Sequence, residues 1–120
     1  MTNVGRYNAI ILAAFPELKK AFEDEEGIYS KTSVFVDFTN RAIANEEWTK
    51  LQKCFGVIDR VLNEEPDGDV FNAVCVSFIE HLDFTDPVRG KRAKAMMSDR
   101  MLTEWKSLEA YWKSLKDPRK

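Results

Sequence analysis

The chain has 120 residues, 44% of them hydrophobic and 32% charged, with a formal net charge of −2. This size and balance fit one domain that buries a core without metal or disulfide staples, and they exclude a disordered chain. The near-neutral total hides a division: residues 1–87 hold 8 Lys and Arg against 16 Asp and Glu, net −8, whereas residues 88–120 hold 10 against 4, net +6. Such asymmetry bears on partners rather than on fold.

The first apolar run, Ala9 to Phe15, is followed by Pro16-Glu17 and not by a small-residue cleavage site. It is a poor signal peptide and far too short to span a bilayer, so a cytoplasmic protein is expected. Tyr7, Ile10, Ile11 and Ala14 suit a first helix, and Pro16 is well placed to open a short second one carrying Leu18 and Phe22. The acidic run Glu23-Asp24-Glu25-Glu26 and then Gly27 close that helix. Acids at a helix C-terminus oppose its dipole, so these charges are expected to serve something else.

Ser33 to Phe38 alternates like a strand, yet Val34, Phe35, Phe38, Ala42 and Ile43 also match helical spacing. Helix is the reading, because no other segment supplies a strand partner. Trp48, Leu51, Phe55, Ile58 and Leu62 then form a continuous stripe along one helical face. Asn45 is expected to cap this helix, with Glu46 and Glu47 in its first turn and an end near Glu64 forced by Pro66. After a turn at Glu65 to Gly68, Asp67 or Asp69 caps a helix carrying Phe71, Val74, Cys75, Phe78 and Leu82. Ala73, Val76 and Ile79 widen its apolar surface, the mark of a central helix.

Asp83 to Pro87 breaks the pattern. A basic helical stretch from Val88 to Met97 follows, and then an amphipathic helix from about Asp99 to Leu115. Leu102, Trp105, Leu108, Trp112 and Leu115 are its expected buried stripe. The whole reads as one all-α domain over 1–120, a compact antiparallel bundle of about six or seven helices, with an acidic body (1–87) and a basic C-terminal part (88–120).

No residue set declares a chemistry. His81 is the sole histidine, and Glu80-His81 followed by Asp83 lacks the convergent spacing of a zinc site. Cys54 and Cys75 fall inside apolar patterns and read as buried free thiols rather than nucleophiles or a disulfide. Asp67-Gly68-Asp69 resembles the start of a calcium loop, but positions 5 and 12 counted from Asp67 hold Phe71 and Phe78, which rejects calcium. No metal and no cofactor is expected. Arg89, Lys91, Arg92, Lys94 and Arg100 form the one nucleic-acid candidate, set beside a body whose charge repels phosphates. The other use of that basic stretch is internal, as a partner to the acidic body.

The turn Phe15-Pro16-Glu17-Leu18-Lys19, the middle apolar helix, and Val74-Cys75-Val76-Ser77-Phe78-Ile79-Glu80-His81-Leu82 together resemble a family of small helical bacterial proteins. Its members are encoded beside polymorphic or contact-dependent growth inhibition toxins and serve as immunity proteins; the resemblance covers about the first two thirds of the chain. It implies a non-enzymatic inhibitor that forms a one-to-one complex with a cognate toxin domain in the cytoplasm. An acidic surface complements the Lys- and Arg-lined active site of a nuclease and steers fast encounter. The expected partner-binding residues are Glu23, Asp24, Glu25, Glu26, Tyr29, Glu64, Glu65, Asp67 and Asp69. The alternative is a nucleic-acid-binding or adaptor module working through residues 88–100, and a hydrolase using Glu80 or Asp83 is a third reading.

Overall fold

Apolar residues at helical spacing fold into helices in unbroken succession. The computed structural model describes residues 3–64 and 68–116. Seven α-helices, and no strand among the described residues, make up the chain: α1 (Asn3–Ala14), α2 (Lys19–Glu23), α3 (Ile28–Ala44), α4 (Trp48–Glu64), α5 (Gly68–Ala73), α6 (Arg89–Ala95) and α7 (Asp99–Lys116). A 3₁₀ turn at Pro16–Leu18 leads into α2, with Pro16 in its first position. Beyond α5 the helix widens to a π-type segment at Val74–Phe78 and tightens to a 3₁₀ turn at Ile79–His81.

The ambiguous segment Val34 to Phe38 lies inside α3. Phe35, Val36 and Phe38 are buried there. The rings of Phe15, Phe35, Phe38 and Phe78 build the middle of the core, with Phe35 stacked on Phe78 at 5.3 Å and Phe15 edge-on to Phe38 at 4.9 Å. The expected central position of the segment after Gly68 is borne out except at Val76, which is 47% exposed. Val70, Ala73, Val74, Phe78 and Ile79 are all buried, and the segment packs against α3 with α1 and α4 to its sides. Leu51, Phe55, Ile58 and Leu62 of α4 are buried as their spacing predicts.

Several local expectations fail. Asn45 does not cap α4; it terminates α3, its N–H bonding to the carbonyls of Arg41 and Ile43. Glu46 takes the left-handed position at φ 57°, its N–H bonding to Ile43 O and that of Glu47 to Ala42 O, the paired bonds of a Schellman motif with glutamate where glycine is usual. Helix α4 therefore begins at Trp48, leaving Glu46 and Glu47 in the link.

The stripe on α7 is buried less than its periodicity implies. Met101 is fully enclosed, Leu102, Trp105, Leu108 and Trp112 are half-buried, and Leu115 is 66% exposed, because the helix outruns the bundle it packs on. Cys75 is only half-buried, its thiol 3.8 Å from the Glu104 carboxylate, while Cys54 is buried; both are free. Of the candidate caps for α5, Asp69 sits in the first turn, and Asp67 lies outside the described residues, as does the turn at 65–67.

Candidate functional site

Helix α2 ends at Glu23, and Glu23 to Glu26 are all exposed in the link to α3. Lys31, one turn into α3, reaches back over this link. Its ammonium donates to the carbonyls of Phe22 and of Glu25, the latter at 2.9 Å. That cation sits where the α2 dipole is negative and where helix-end carbonyls need donors, and so it supports a chain end that the acidic side chains oppose. Gly27 makes the turn into α3 at φ 82°, ψ 158°, a conformation that glycine adopts without a Cβ penalty. Tyr29 follows in the first turn of α3 and is 47% exposed. Apart from Lys19 facing Glu23 at 4.0 Å, no ion pair among the described residues takes up these four carboxylates.

The second acidic run is used differently. Glu64 ends α4 with a 26% exposed side chain held between two guanidiniums, Arg6 of α1 at 2.5 Å and Arg60 at 3.4 Å. Its charge is spent inside the molecule, tying α1 to α4. Asp69 is exposed in the first turn of α5, where a carboxylate favours the helix dipole. Glu65 and Asp67 lie outside the described residues. The structure thus groups Glu23, Asp24, Glu25, Glu26 and Tyr29 on one turn and ties Glu64 to a different part of the bundle.

The basic stretch largely meets rings and carboxylates. Arg92 lies over Trp48 at 4.5 Å, Lys94 over Trp105 at 5.4 Å and Arg100 over Phe71 at 5.7 Å. Arg89 pairs with Asp86 at 3.6 Å and reaches Glu46 in the α3–α4 link at 4.0 Å, both carboxylates of the acidic body. Arg100 also pairs with Glu104 at 3.9 Å. A cation–π contact contributes roughly 0.5–1 kcal/mol at an exposed site, so rings and carboxylates share the fastening of the basic part.

The carboxylates considered for hydrolysis also hold structure together. Glu80 accepts from the Trp112 indole at 3.4 Å, and Asp83 accepts from the Thr85 hydroxyl at 2.6 Å and the Thr85 backbone N–H at 3.0 Å. Those Thr85 bonds hold the Asp83 carboxyl below the usual carboxylate range. Burial pushes the Cys54 thiol up to about 11. Burial, with Glu104 adding to it, pushes Cys75 up to about 12. Neither is a thiolate at neutral pH. Among the described residues no three His, Cys, Asp or Glu side chains converge as a metal would require, and no helix is long and apolar enough to cross a membrane.

A family model described as a domain of unknown function, DUF7674, matches residues 8–113. The chain belongs to this family. No curated protein and no solved structure matches it. The DUF7674 match takes in the acidic α2–α3 turn and most of the basic part.

Two features of this DUF7674 chain are not apparent from its sequence. The carboxamide of Asn40 brackets the chain reversal after the 3₁₀ turn, donating to His81 O and accepting from Asp83 N–H, both at 2.9 Å. Nothing in an Asn amid helix formers announces that role. The other is a shallow, open groove of about 440 Å³ between α1 and α4, lined by Ile10, Ala13, Ala14, Gly56 and Val57 together with Lys53 and Arg60. Small residues at matching positions on two helices were its available signal.

Proposed function

We propose that this DUF7674 domain is an immunity protein: it binds a cognate bacterial toxin domain one-to-one in the cytoplasm and neutralises it without turnover of its own. The toxin we favour is a nuclease. The observation that supports this reading is the α2–α3 turn, where four exposed carboxylates stand on a backbone pinned by Lys31 and beside the half-exposed Tyr29. A preordered acidic projection loses little conformational entropy on binding, and its field accelerates encounter with a basic catalytic surface. Tyr29 offers a rigid amphipathic anchor next to that charge, the residue type that dominates binding energy at interface centres. A tight complex of this kind buries on the order of 1,600 Å² in total, which the acidic turn and its flanks on α2 and α3 would supply in part.

Co-expression tests it. A cell carrying the toxin encoded beside this chain should survive when the chain is present, and the two purified proteins should associate more tightly at low salt than at high. Equal killing with and without the chain, together with no association at low salt, would sink the proposal.

A further inference from the structure

We propose a second docking surface, independent of the acidic turn: the α1–α4 groove receives an α-helix of a protein partner, one whose apolar stripe is flanked by carboxylates. The argument begins with Gly56. It lies in mid-α4, where glycine weakens a helix relative to alanine. A Cβ built there would meet nothing within 4 Å, so the fold itself has no need of the missing side chain. By contrast, Gly90 could not bear one, since its Cβ would stand 2.3 Å from the Phe84 carbonyl oxygen. Ala13 and Ala14 face the same groove from α1, which leaves a floor low enough for a third helix to approach closely.

The charge at the edge selects the occupant. At one end, Arg6 and Arg60 share the single carboxylate of Glu64, so two guanidiniums face one anion. Toward the other end, Lys53 lies over the Phe15 ring at 5.0 Å and has no ion pair among the described residues. An arriving helix with Glu or Asp on either side of small apolar residues would complete both ends. A second copy crossing its own α4 here would set Lys53 against Arg60, which disfavours self-association, and the apolar floor offers nothing to a nucleic acid. The surface has the opposite sign to the α2–α3 turn, so it would serve a different partner or a different part of one.

The test is an NMR titration of the ¹⁵N-labelled protein with a soluble helical peptide bearing an Ala/Leu stripe flanked by Glu, and with the same peptide flanked by Lys. The Glu peptide should give saturable shifts confined to the amides of Ile10, Ala13, Gly56 and their neighbours, weakened by salt; the Lys peptide should give none. Gly56→Ala should raise Tm by a few degrees while weakening the Glu peptide about tenfold. Absent or scattered shifts, equal response to both peptides, a Gly56→Ala variant that melts no higher, or one that melts higher and binds equally well would each overturn the proposal. None of these outcomes depends on the toxin.

Discussion

The phenol of Tyr7 on α1 and the hydroxyl of Thr32 on α3 lie 2.6 Å apart, both shut off from solvent. An oxygen that loses its partner at such a depth keeps its full desolvation cost, so Thr32→Val should destabilise by about 1–3 kcal/mol. Tyr7→Phe should cost less, because Thr32 can turn its hydroxyl to a carbonyl one helical turn back. The double variant in urea unfolding should lose less than the two singles combined, by about 1 kcal/mol. Simple additivity would show that the bond contributes nothing to holding α1 on α3.

Gly90 is where α6 touches the loop before it, with its own N–H bonded to Asp86 O at 2.8 Å. Gly90→Ala puts a methyl 2.3 Å from Phe84 O and 2.7 Å from the carbonyl carbon, and backbone cannot rotate away as a side chain can. We expect a loss of about 2 kcal/mol or more, read as a lower urea midpoint with unchanged slope. A variant as stable as the parent would mean that α6 shifts freely.

Glu46 holds a left-handed conformation that costs a non-glycine residue roughly 1–2 kcal/mol. Glu46→Gly should therefore stabilise by about 0.5 kcal/mol after the added freedom of the unfolded chain is counted. Its exposed contact with Arg89, at 4.0 Å, contributes little to the balance. Glu46→Val should destabilise. Thermal melts of the pair decide it, and a lower Tm for the glycine variant would contradict the strain argument.

The same link shows where sequence stops being readable. The Trp48-to-Leu62 stripe is visible because burial repeats at a period fixed by the helix. The link between α3 and α4 is set by one φ angle at a glutamate, and no composition rule marks it. On α7, periodicity identified the apolar face but could not say how far the surface beneath it extends, which is why Leu115 was expected inside and lies outside. The acidic turn at Glu23 to Glu26 was legible as a charge run. What sequence could not supply was Lys31 holding its backbone, or the Arg6 and Arg60 contacts that draw Glu64 out of the candidate surface.

Thiol titration gives a pH prediction. Cys54 is protonated in the fold to about 11, against an ordinary value of 9.0. A raised folded pKa contributes stability that is complete below pH 9 and disappears as pH climbs from there toward 11. The decline approaches about 1.4 kcal/mol per pH unit from this buried group, with Cys75 and the raised Tyr7 phenol acting in the same direction. Cys54→Ala should flatten the alkaline fall in Tm. In the native protein at pH 8, a thiol reagent should label Cys54 only as fast as the chain opens, and rapid native labelling of Cys54 would refute its burial. At the acid end the sign reverses. Asp86, held low first by the Arg89 backbone N–H, adds stability that fades as pH falls through the carboxylate range.

The acidic runs make the final prediction, because the fold spends one and leaves the other free. Charge reversal at Glu23 to Glu26 should leave Tm nearly unchanged, since these side chains are exposed and, among the described residues, only Glu23 has a facing cation, at 4.0 Å. It should slow association with the proposed toxin partner by about tenfold or more at low salt and remove most of the salt dependence, the signature of steering by a rim charge. Glu64→Lys should do the converse, setting a third cation beside Arg6 and Arg60 and lowering stability before it affects binding. Neutralising Lys113, which is exposed on α7, should change neither. Stopped-flow association at two ionic strengths, alongside thermal melts of each variant, separates the cases. If reversal at Glu23 to Glu26 changes neither the rate nor its salt dependence, the turn is a solvated surface and Tyr29 has no charged rim to anchor.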